Sequence, residues 1–260
     1  MQVLRQGQSG SEVEKWQHFL IGQNINVLAD GDFGANTYAA TVAFQEKYGL
    51  GADGVVGRGT LAKAFELGFG EAHDEGVEGE ESPKWPPPPE FGPISGADRL
   101  KVFGQFAYEP APTQWNPEAI TIKDNWAALN VVQVEIPQLV GVSGAGMSGK
   151  IPFHRAGADQ LKALWEAWED AGLHPLILSW GGSYAPRFVR GSRTYLSNHA
   201  WGTAFDLNVQ WNGLGVEPAL VGKHGSVRKL VPLAAEHGFY WGGWYNGRKD
   251  GMHFEVAVVK

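Results

Sequence analysis

Residues 197–208 of the chain read SNHAWGTAFDLN, a glycine-containing bend followed by an apolar, alternating segment. The small residues at positions 200 and 202–204 predict a tight loop in which the backbone passes close to another group. The alternation that begins at Asp206 predicts a strand. His199 and Asp206 would therefore lie on a loop and on the strand that follows it, which is a suitable geometry for two ligands of one metal ion.

The spacing between these two residues is weak evidence by itself. In a chain of 260 residues with 8 histidines and 28 acidic residues, a histidine followed seven positions later by a carboxylate is expected about once by chance. The C-terminal segment, residues 250–259 (DGMHFEVAVV), supplies the missing context. It predicts a turn that enters a strand, with His253 and Glu255 on one face.

Three candidate ligands result, because catalytic zinc commonly uses three protein groups and leaves one position open. They are His199, Asp206 and His253. Asp250 lies just outside the last strand, where a carboxylate could act as a general base or acid without binding the metal. Glu255 could support His253, could act as the base in place of Asp250 or could form an ion pair with an arginine, and the sequence leaves these interpretations open.

Composition narrows the classes of protein to consider. The chain is 43% hydrophobic and 19% charged, which is typical of a soluble folded protein, and it lacks cysteine, so metal ligands must be histidine and carboxylate. The net charge is −7, but residues 71–82 carry six acidic groups and no basic one, which leaves about −1 for the rest. We therefore expect no nucleic-acid partner, and without a run of about 20 apolar residues we expect no membrane insertion.

The acidic stretch leads into a proline-rich one, and together they predict an extended spacer. The predicted organisation is an N-terminal domain at 1–70, an acidic and proline-rich linker at 71–93 and a larger domain at 94–260. The N-terminus MQVLRQGQSG has no apolar core of a secretory signal.

The N-terminal domain contains a short repeat, in which ADGDFGANT at 29–37 is echoed by ADGVVGRGT at 52–60. Each copy predicts an Asp-Gly turn followed by a threonine that can cap a helix. Three short helices are expected, and the second is predicted to bury Tyr38, Val42, Phe44 and Gln45.

The larger domain is predicted to be α+β. Residues 131–136 and the C-terminal segment indicate strands of a small antiparallel sheet. Residues 158–171 indicate an amphipathic helix whose inward face is formed by Leu161, Leu164, Trp165 and Trp168.

Two families resemble these segments. Residues 3–67, through LRQGQSGSEVEKWQHFL, DGDFGANTYAATVAFQ and DGVVGRGTL, resemble the three-helix peptidoglycan-binding domain. The region from about 95 to the C-terminus, through SNHxxGxAxD and DxMHFE, resembles the zinc D-Ala-D-Ala carboxypeptidase and L-alanyl-D-glutamate endopeptidase family, which includes several phage endolysins. This resemblance implies a hedgehog/D,D-peptidase-like α+β fold with a central antiparallel sheet.

The second resemblance also implies roles for individual residues. His199, Asp206 and His253 would bind one Zn²⁺ ion, and Asp250 would be the catalytic carboxylate, at a position where many relatives have glutamate.

Two more residues match the family's motifs outside the ligand set. Arg187 would face the substrate carbonyl or carboxylate, and Ser197 would hydrogen-bond the substrate. The residues themselves leave other interpretations open, since Arg187 could form a surface ion pair and Ser197 could cap a turn.

Together these features predict a monomeric, two-domain peptidoglycan hydrolase of the endolysin type. One domain would bind the wall and the other would cut an L-Ala-D-Glu or D-Ala bond, as an endopeptidase rather than a carboxypeptidase. We expect it to act on the cell wall after synthesis in a host cytoplasm and release by a phage holin or another non-Sec route. The alternatives are a bacterial D,D-carboxypeptidase for wall remodelling and a non-catalytic wall-binding protein.

Overall fold

The structure is a computed structural model that describes residues 3–23, 25–67, 69 and 85–260. Its N-terminal part is helical and its C-terminal part combines helices with antiparallel strands. The predicted fold class, a small helical domain followed by an α+β domain, is confirmed. Among the described residues, no helix is both long enough and apolar enough to cross a membrane.

Three helices form the N-terminal domain around an aromatic core. They are α1 (Ser11–Gly22), α2 (Ala35–Lys47) and α3 (Arg58–Glu66). Trp16 of α1 stacks on Phe19 with ring centroids 5.2 Å apart, and the edge of Phe44 from α2 meets Trp16 at 5.3 Å. Aromatic pairs of this kind add to the stabilisation that burial provides.

The repeat is explained by two buried glutamines that occupy equivalent positions. In the first copy, the Gln17 amide nitrogen lies 2.8 Å from Asp30 Oδ1, 2.9 Å from the Asp32 carbonyl and 2.8 Å from Thr37 Oγ1. The Gln17 amide oxygen accepts a hydrogen bond from the Gly31 backbone N–H at 2.8 Å. A buried amide needs such partners, because leaving it unpaired would be costly.

In the second copy, Gln45 repeats this network. Its amide nitrogen lies within hydrogen-bond distance of Asp53 Oδ1, the Val55 carbonyl and Thr60 Oγ1, and its oxygen accepts from the Gly54 N–H. A glutamine from the preceding helix therefore holds the Asp-Gly turn and the threonine together. The prediction that this threonine caps the helix was wrong for α2, whose N-cap is Gly34 without a side-chain hydrogen bond; Thr37 lies inside the helix and donates to the Asp32 carbonyl at 3.0 Å.

The buried face of α2 differs from the prediction. Tyr38 is 38% exposed and Val42 is only half-buried, and the buried face consists of Thr37, Ala40, Thr41, Phe44 and Gln45. The prediction was wrong at Tyr38 because polar threonines take part in the interior hydrogen-bond network, which a count of apolar residues does not detect.

The C-terminal part contains four helices and eight strands within the described residues. The helices are α4 (Gly96–Phe103), α5 (Trp126–Asn130), α6 (Ala158–Asp170) and α7 (Val231–Glu236). The strands are β1 (Tyr108–Pro110), β2 (Ile120–Ile122), β3 (Val131–Glu135), β4 (Lys150–His154), β5 (Trp180–Gly182), β6 (Ala204–Leu207), β7 (Phe239–Trp241) and β8 (His253–Val256).

These strands form two antiparallel pairs, β1-β2 and β3-β4, and a four-stranded antiparallel sheet in the order β5-β6-β8-β7. Helix α6 packs into the same core as the sheet, with Leu161, Leu164, Trp165 and Trp168 buried as predicted. The rings of Trp168 and Phe254 of β8 meet edge to face with centroids 6.0 Å apart.

The end of the predicted linker differs from an extended spacer. Residues 71–84 lie outside the described residues, but Trp85 is only 6% exposed. Its ring packs 5.2 Å from Trp241 and lies under the Arg228 guanidinium at 4.6 Å, and the Pro86 carbonyl accepts a hydrogen bond from Trp244 Nε1. Burying so large an aromatic surface outweighs the disorder expected of an acidic and proline-rich segment.

Candidate metal centre

Three side chains meet at one end of the two central strands of the four-stranded sheet: Asp206 on β6, His253 on β8 and His199 on the turn before β6. His199 Nε2 lies 3.2 Å from Asp206 Oδ2 and 3.2 Å from His253 Nδ1, and His253 Nδ1 lies 3.1 Å from Asp206 Oδ1. All three residues are buried, and one ligand atom from each lies within 4.8 Å of the others. Two imidazoles and a carboxylate facing one point are a donor set that suits zinc.

The orientation of His199 is set by a neighbouring carbonyl. Its Nδ1 lies 2.8 Å from the carbonyl oxygen of Ser183, which can only accept a hydrogen bond. The proton of the neutral ring therefore resides on Nδ1, and the lone pair of Nε2 is directed toward Asp206 and His253. A hydrogen bond of this kind is the usual support for a metal-binding histidine.

The backbone brings the ligands together in two ways. Asp206 and His253 are directly opposite each other on the neighbouring strands β6 and β8. His199 lies in the 3-10 turn Asn198–Ala200, and the chain reverses at Gly202, which has a φ of 66°. The Gly202 carbonyl accepts a 2.7 Å hydrogen bond from the backbone N–H of His154, and glycine adopts this left-handed conformation without the strain that a side chain would add.

The negative charge of Asp206 favours one positive charge at the cluster, although burial opposes the charged form of all three groups. Burial lowers the pKa of His199. At His253 burial also opposes charge, but the hydrogen bond to Asp206 and its negative charge outweigh it and raise the pKa to about 9. Burial opposes the charge of Asp206 too, yet the two imidazoles hold its pKa well below the usual range. A cation at the centre would satisfy the same preference as the proton.

Asp250 lines the same cleft as the three candidate ligands. Its Oδ1 is buried and has no hydrogen-bond partner among the described residues. Burial raises the pKa of this carboxyl to about 7; the charge of His253 opposes the shift, and that of Asp206 adds to it. A carboxyl that titrates near neutrality can take up and return a proton.

Arg187 and Ser197 are neighbours, because the Ser197 N–H donates to the Arg187 carbonyl at 3.0 Å. Both line the cleft. Arg187 is half-buried, its Nη1 donates to the Phe188 carbonyl at 3.2 Å, and burial lowers its pKa. Ser197 Oγ accepts from the His199 N–H at 3.3 Å and so caps the turn that carries this histidine. Their substrate contacts stay predictions.

Glu255 is the most buried carboxylate near the cluster. Its Oε1 accepts a 2.9 Å hydrogen bond from the Tyr245 hydroxyl, and its Oε2 lies 4.0 Å from His253 Nε2. Burial raises its pKa, while the charges of His253 and Arg99 oppose the shift. The strand alternation identified Glu255, but no sequence signal identified Tyr245, ten residues earlier in the chain, or Arg99 as its neighbours.

The cluster lies in a cleft with a cavity volume of about 1170 Å³. Four arginines line it, namely Arg99, Arg187, Arg190 and Arg248. Arg190 is paired with Glu118 at 2.8 Å. The other guanidinium groups make the cleft suitable for a substrate that carries carboxylates.

Comparison with protein families matches two segments of the chain. Residues 190–256, which hold the cluster, match a family described as "D-alanyl-D-alanine carboxypeptidase". Residues 9–63 match a family described as "Putative peptidoglycan binding domain". Both resemblances drawn from the sequence are thereby confirmed over the residues that these two families match.

Two curated relatives share part of the sequence. The chain is 39% identical over 68 residues to the "Zinc D-Ala-D-Ala carboxypeptidase" of Streptomyces albus G. This match covers 25% of this chain and 27% of that protein. The chain is also 39% identical over 61 residues to a "Probable N-acetylmuramoyl-L-alanine amidase" of Bacillus licheniformis. This match covers 22% of this chain and 17% of that protein. The matches thus span about a quarter or less of these relatives.

A solved structure shares sequence with part of the chain. It is a peptidoglycan-binding protein from Clostridioides difficile in complex with glutamine hydroxamate, 47% identical, and the match covers 25% of this chain and 42% of that one. The TM-score of 0.25 is too low for an argument about the fold.

Proposed function

We propose that the chain is a zinc-dependent peptidoglycan peptidase. Residues 1–70 would bind the cell wall, and residues 94–260 would hydrolyse an amide bond of the stem peptide or of the cross-link. The observation that carries the proposal is the buried His199, Asp206 and His253 cluster, whose facing atoms are 3.1–3.2 Å apart within a large cleft.

The three cluster residues would hold one Zn²⁺ ion. When bound, the ion would polarise the scissile carbonyl and acidify a water molecule. Asp250 would accept the proton of the attacking water as the carbon–oxygen bond forms. It would then return that proton to the leaving amine as the carbon–nitrogen bond breaks. Arg187 would orient the substrate through its carbonyl or carboxylate, and Ser197 would hold the turn that carries His199.

The size of the cleft favours an endopeptidase. Pockets for small ligands commonly have volumes of about 300–1,000 Å³, and this cavity has about 1170 Å³. A cleft of this size has room for peptide on both sides of the scissile bond, whereas a carboxypeptidase needs to hold only a chain end on one side.

The charge of the cleft suits the same substrate. Peptidoglycan stems carry free carboxylates along the peptide, and Arg99, Arg187 and Arg248 line the cleft around the cluster. Planar guanidinium groups bind carboxylates with two parallel hydrogen bonds. We therefore propose that the substrate is a stem peptide or a cross-linked pair of stems.

Digestion of purified peptidoglycan sacculi, followed by mass spectrometry of the released muropeptides, tests the proposal. We expect cleavage that stops with EDTA, returns with Zn²⁺ and is lost in His253→Ala. His224→Ala is the matched control, since this exposed histidine lies outside the cluster. Wall binding without cleavage by zinc-loaded protein would contradict the peptidase and support a non-catalytic wall-binding protein.

The products identify the bond. A new amino terminus on D-Glu would indicate an L-Ala-D-Glu endopeptidase, and separated cross-linked stems would indicate a D-Ala endopeptidase. Loss of only the terminal D-Ala would indicate a carboxypeptidase, as in wall remodelling. Release of the whole stem from the glycan would indicate an amidase, the activity in the name of the Bacillus licheniformis relative.

We propose that the physiological role is bacteriolysis of the endolysin type. The combination of a wall-binding segment with a wide cleft supports this role, because cutting a polymer requires both retention on the wall and access from its middle. Added to cells with exposed walls, the wild-type protein should lower turbidity and Asp250→Asn should not. Release of D-Ala without lysis would favour the remodelling carboxypeptidase.

A further inference from the structure

The N-terminal domain packs against the peptidase domain in this structure. Helix α1 lies against the 3-10 turn Val209–Trp211. At this junction Gln210 accepts a 2.9 Å hydrogen bond from Gln23 Nε2 and donates a 2.8 Å bond to the Leu67 carbonyl. Gln210 is 8% exposed, so both bonds lie inside the junction.

The two surfaces approach closely because glycines lie where they meet. A Cβ atom on Gly22, the last residue of α1, would lie 2.6 Å from Gln210 Cβ. A Cβ atom on Gly213 would lie 2.8 Å from the ring of His18, which is itself buried. No side chain other than hydrogen fits at either position without movement, so the contact depends on both glycines.

This contact is adjacent to the candidate metal centre along the chain. Strand β6 carries Asp206 and leads through Asn208 directly into the turn Val209–Trp211. Asn208 is fully buried, and its side-chain oxygen accepts hydrogen bonds from the Leu178 and Ser179 N–H groups at 2.8 and 3.0 Å. The turn on which α1 packs is therefore held rigidly relative to the ligand on β6.

The same cleft is lined by both domains. His18, Ile21 and Ala29 of the N-terminal domain share it with Asp206 and His253. Two of these N-terminal residues are apolar, whereas the arginines that line the cleft come from the peptidase domain. A bound peptide would thus meet an apolar wall from one domain and carboxylate-binding groups from the other.

We infer that the substrate cleft is composite: helix α1 and the loop at Ala29 form one wall of it and position a stem peptide across the metal centre. The inference rests on the proposed function. It assigns the N-terminal domain a positioning role in addition to wall binding. The substrate class is a cross-linked or polymeric stem that is long enough to reach this wall, and not a terminal dipeptide.

Comparing cleavage of soluble and insoluble substrates distinguishes a positioning role of the N-terminal domain from a role that only tethers the enzyme to the wall. A domain that only tethers the enzyme affects cleavage of sacculi and leaves cleavage of a soluble muropeptide unchanged. A domain that forms the cleft wall affects both. The variant to use is Gly22→Leu, which forces the two surfaces of the junction apart and substitutes no residue that lines the cleft.

Gly59→Leu is the matched control, because Gly59 lies in α3 and a Cβ there meets nothing within 4 Å. With a soluble cross-linked muropeptide dimer, we expect Gly22→Leu to lower kcat/KM roughly tenfold, mainly through KM. Gly59→Leu should match the wild type, and both variants should still sediment with sacculi. Equal kcat/KM values for the two variants on the soluble dimer would overturn the composite cleft.

If the protein is not a peptidase, the assay with the soluble dimer gives a different result. Zinc-loaded wild type would then leave the dimer intact, and calorimetric binding of the dimer to the Asp250→Asn protein becomes the readout. Binding that weakens roughly tenfold when Gly22→Leu is added supports the composite cleft without the peptidase. Absent or unchanged binding overturns it.

An engineered disulfide provides a second, independent test. The chain has no cysteine, so Gly22→Cys with Gln210→Cys can form only one bridge within a molecule. The Cβ atoms would need to separate from 2.6 Å to about 3.8 Å. We expect the oxidised protein to cleave the soluble dimer within about twofold of the reduced protein. Inactivity on the dimer that reduction reverses would overturn the inference.

Discussion

Asp206 and His253 lie directly opposite each other on the antiparallel strands β6 and β8, and their side chains meet with Oδ1 and Nδ1 3.1 Å apart. A pair that faces across neighbouring strands is held by the backbone ladder, so its geometry depends little on flexible rotamers. His199 joins this pair from the turn before β6. Two of the three candidate ligands thus lie on a hydrogen-bonded pair of strands, which is the kind of support that a preorganised site requires.

Replacing Asp206 tests whether the cluster binds zinc. Asp206→Asn keeps the size of the side chain but removes the negative charge that the two imidazoles face. We expect the variant to bind less zinc than one ion per chain. We also expect kcat/KM on sacculi to fall more than about 100-fold, which exceeds the loss typical of a residue that only hydrogen-bonds a metal ligand. Elemental analysis after gel filtration measures the zinc. Asp159→Asn is the control, because Asp159 is exposed, and it should keep the metal. An Asp206→Asn protein with full zinc content would contradict the assignment of Asp206 as a ligand.

Asp250 should separate metal binding from proton transfer. Asp250→Asn removes the proton acceptor and leaves the three candidate ligands intact. We expect zinc content to stay at one ion per chain while kcat falls by about 10²–10⁴. Asp250→Glu should recover part of the rate, because it restores the carboxylate at a different reach. Loss of zinc in Asp250→Asn would instead place Asp250 among the ligands.

The two buried glutamines of the repeat should be equivalent in stability. Gln17→Leu leaves the Gly31 N–H and the surrounding groups without their partner, so we expect the free energy of unfolding to fall by roughly 2 kcal/mol. Gln45→Leu should have a similar effect through Gly54. Urea denaturation followed by tryptophan fluorescence measures both. The exposed Gln6→Leu is the control, and a loss confined to one copy would contradict the equivalence of the two networks.

Stability should depend on pH through His18. Burial lowers the pKa of this ring from 6.5 to about 4, and the positive charge of Arg190 adds to the shift. Between these values the unfolded chain binds a proton that the folded chain excludes, so stability falls as the pH falls from 6.5 to 4. At roughly 1.4 kcal/mol per pKa unit, the loss should be a few kcal/mol.

His18→Phe should remove that part of the pH dependence, since phenylalanine fills a similar volume and does not titrate. Urea denaturation at pH 7.0 and at pH values down to about 4.5 gives the slope for each protein. In His18→Phe the slope of the free energy of unfolding against pH should not fall to zero, because burial also lowers the pKa of His154 to about 4. A slope that is the same in wild type and His18→Phe would contradict the assignment.

Trp85 should be part of the folded C-terminal domain. It is buried against Trp241 and the Arg228 guanidinium, so Trp85→Ala should lower the free energy of unfolding by about 3 kcal/mol. Trp115→Ala is the control, because Trp115 is 39% exposed. Differential scanning calorimetry measures the effect. Equal melting temperatures for the two variants would show that Trp85 belongs to the spacer.

Much of this architecture could be predicted from the sequence alone. The apolar face of residues 158–171, the Asp-Gly repeat and the alternation after Asp206 are local patterns, and each follows from the period of a helix, a turn or a strand. The choice of His199, Asp206 and His253 also needed only their residue types, the absence of cysteine and the family motifs. Their role as ligands stays a prediction, although the structure brings the three side chains together.

The tertiary structure decided what depends on contacts between distant segments. It buried Trp85 at the end of an acidic stretch, supplied Glu255 with the Tyr245 hydroxyl and placed helix α1 against the turn at Gln210. It also buried Thr37 and Thr41 in place of Tyr38. A polar or isolated residue is buried when partners from elsewhere in the chain compensate its desolvation, and no local pattern in the sequence contains those partners.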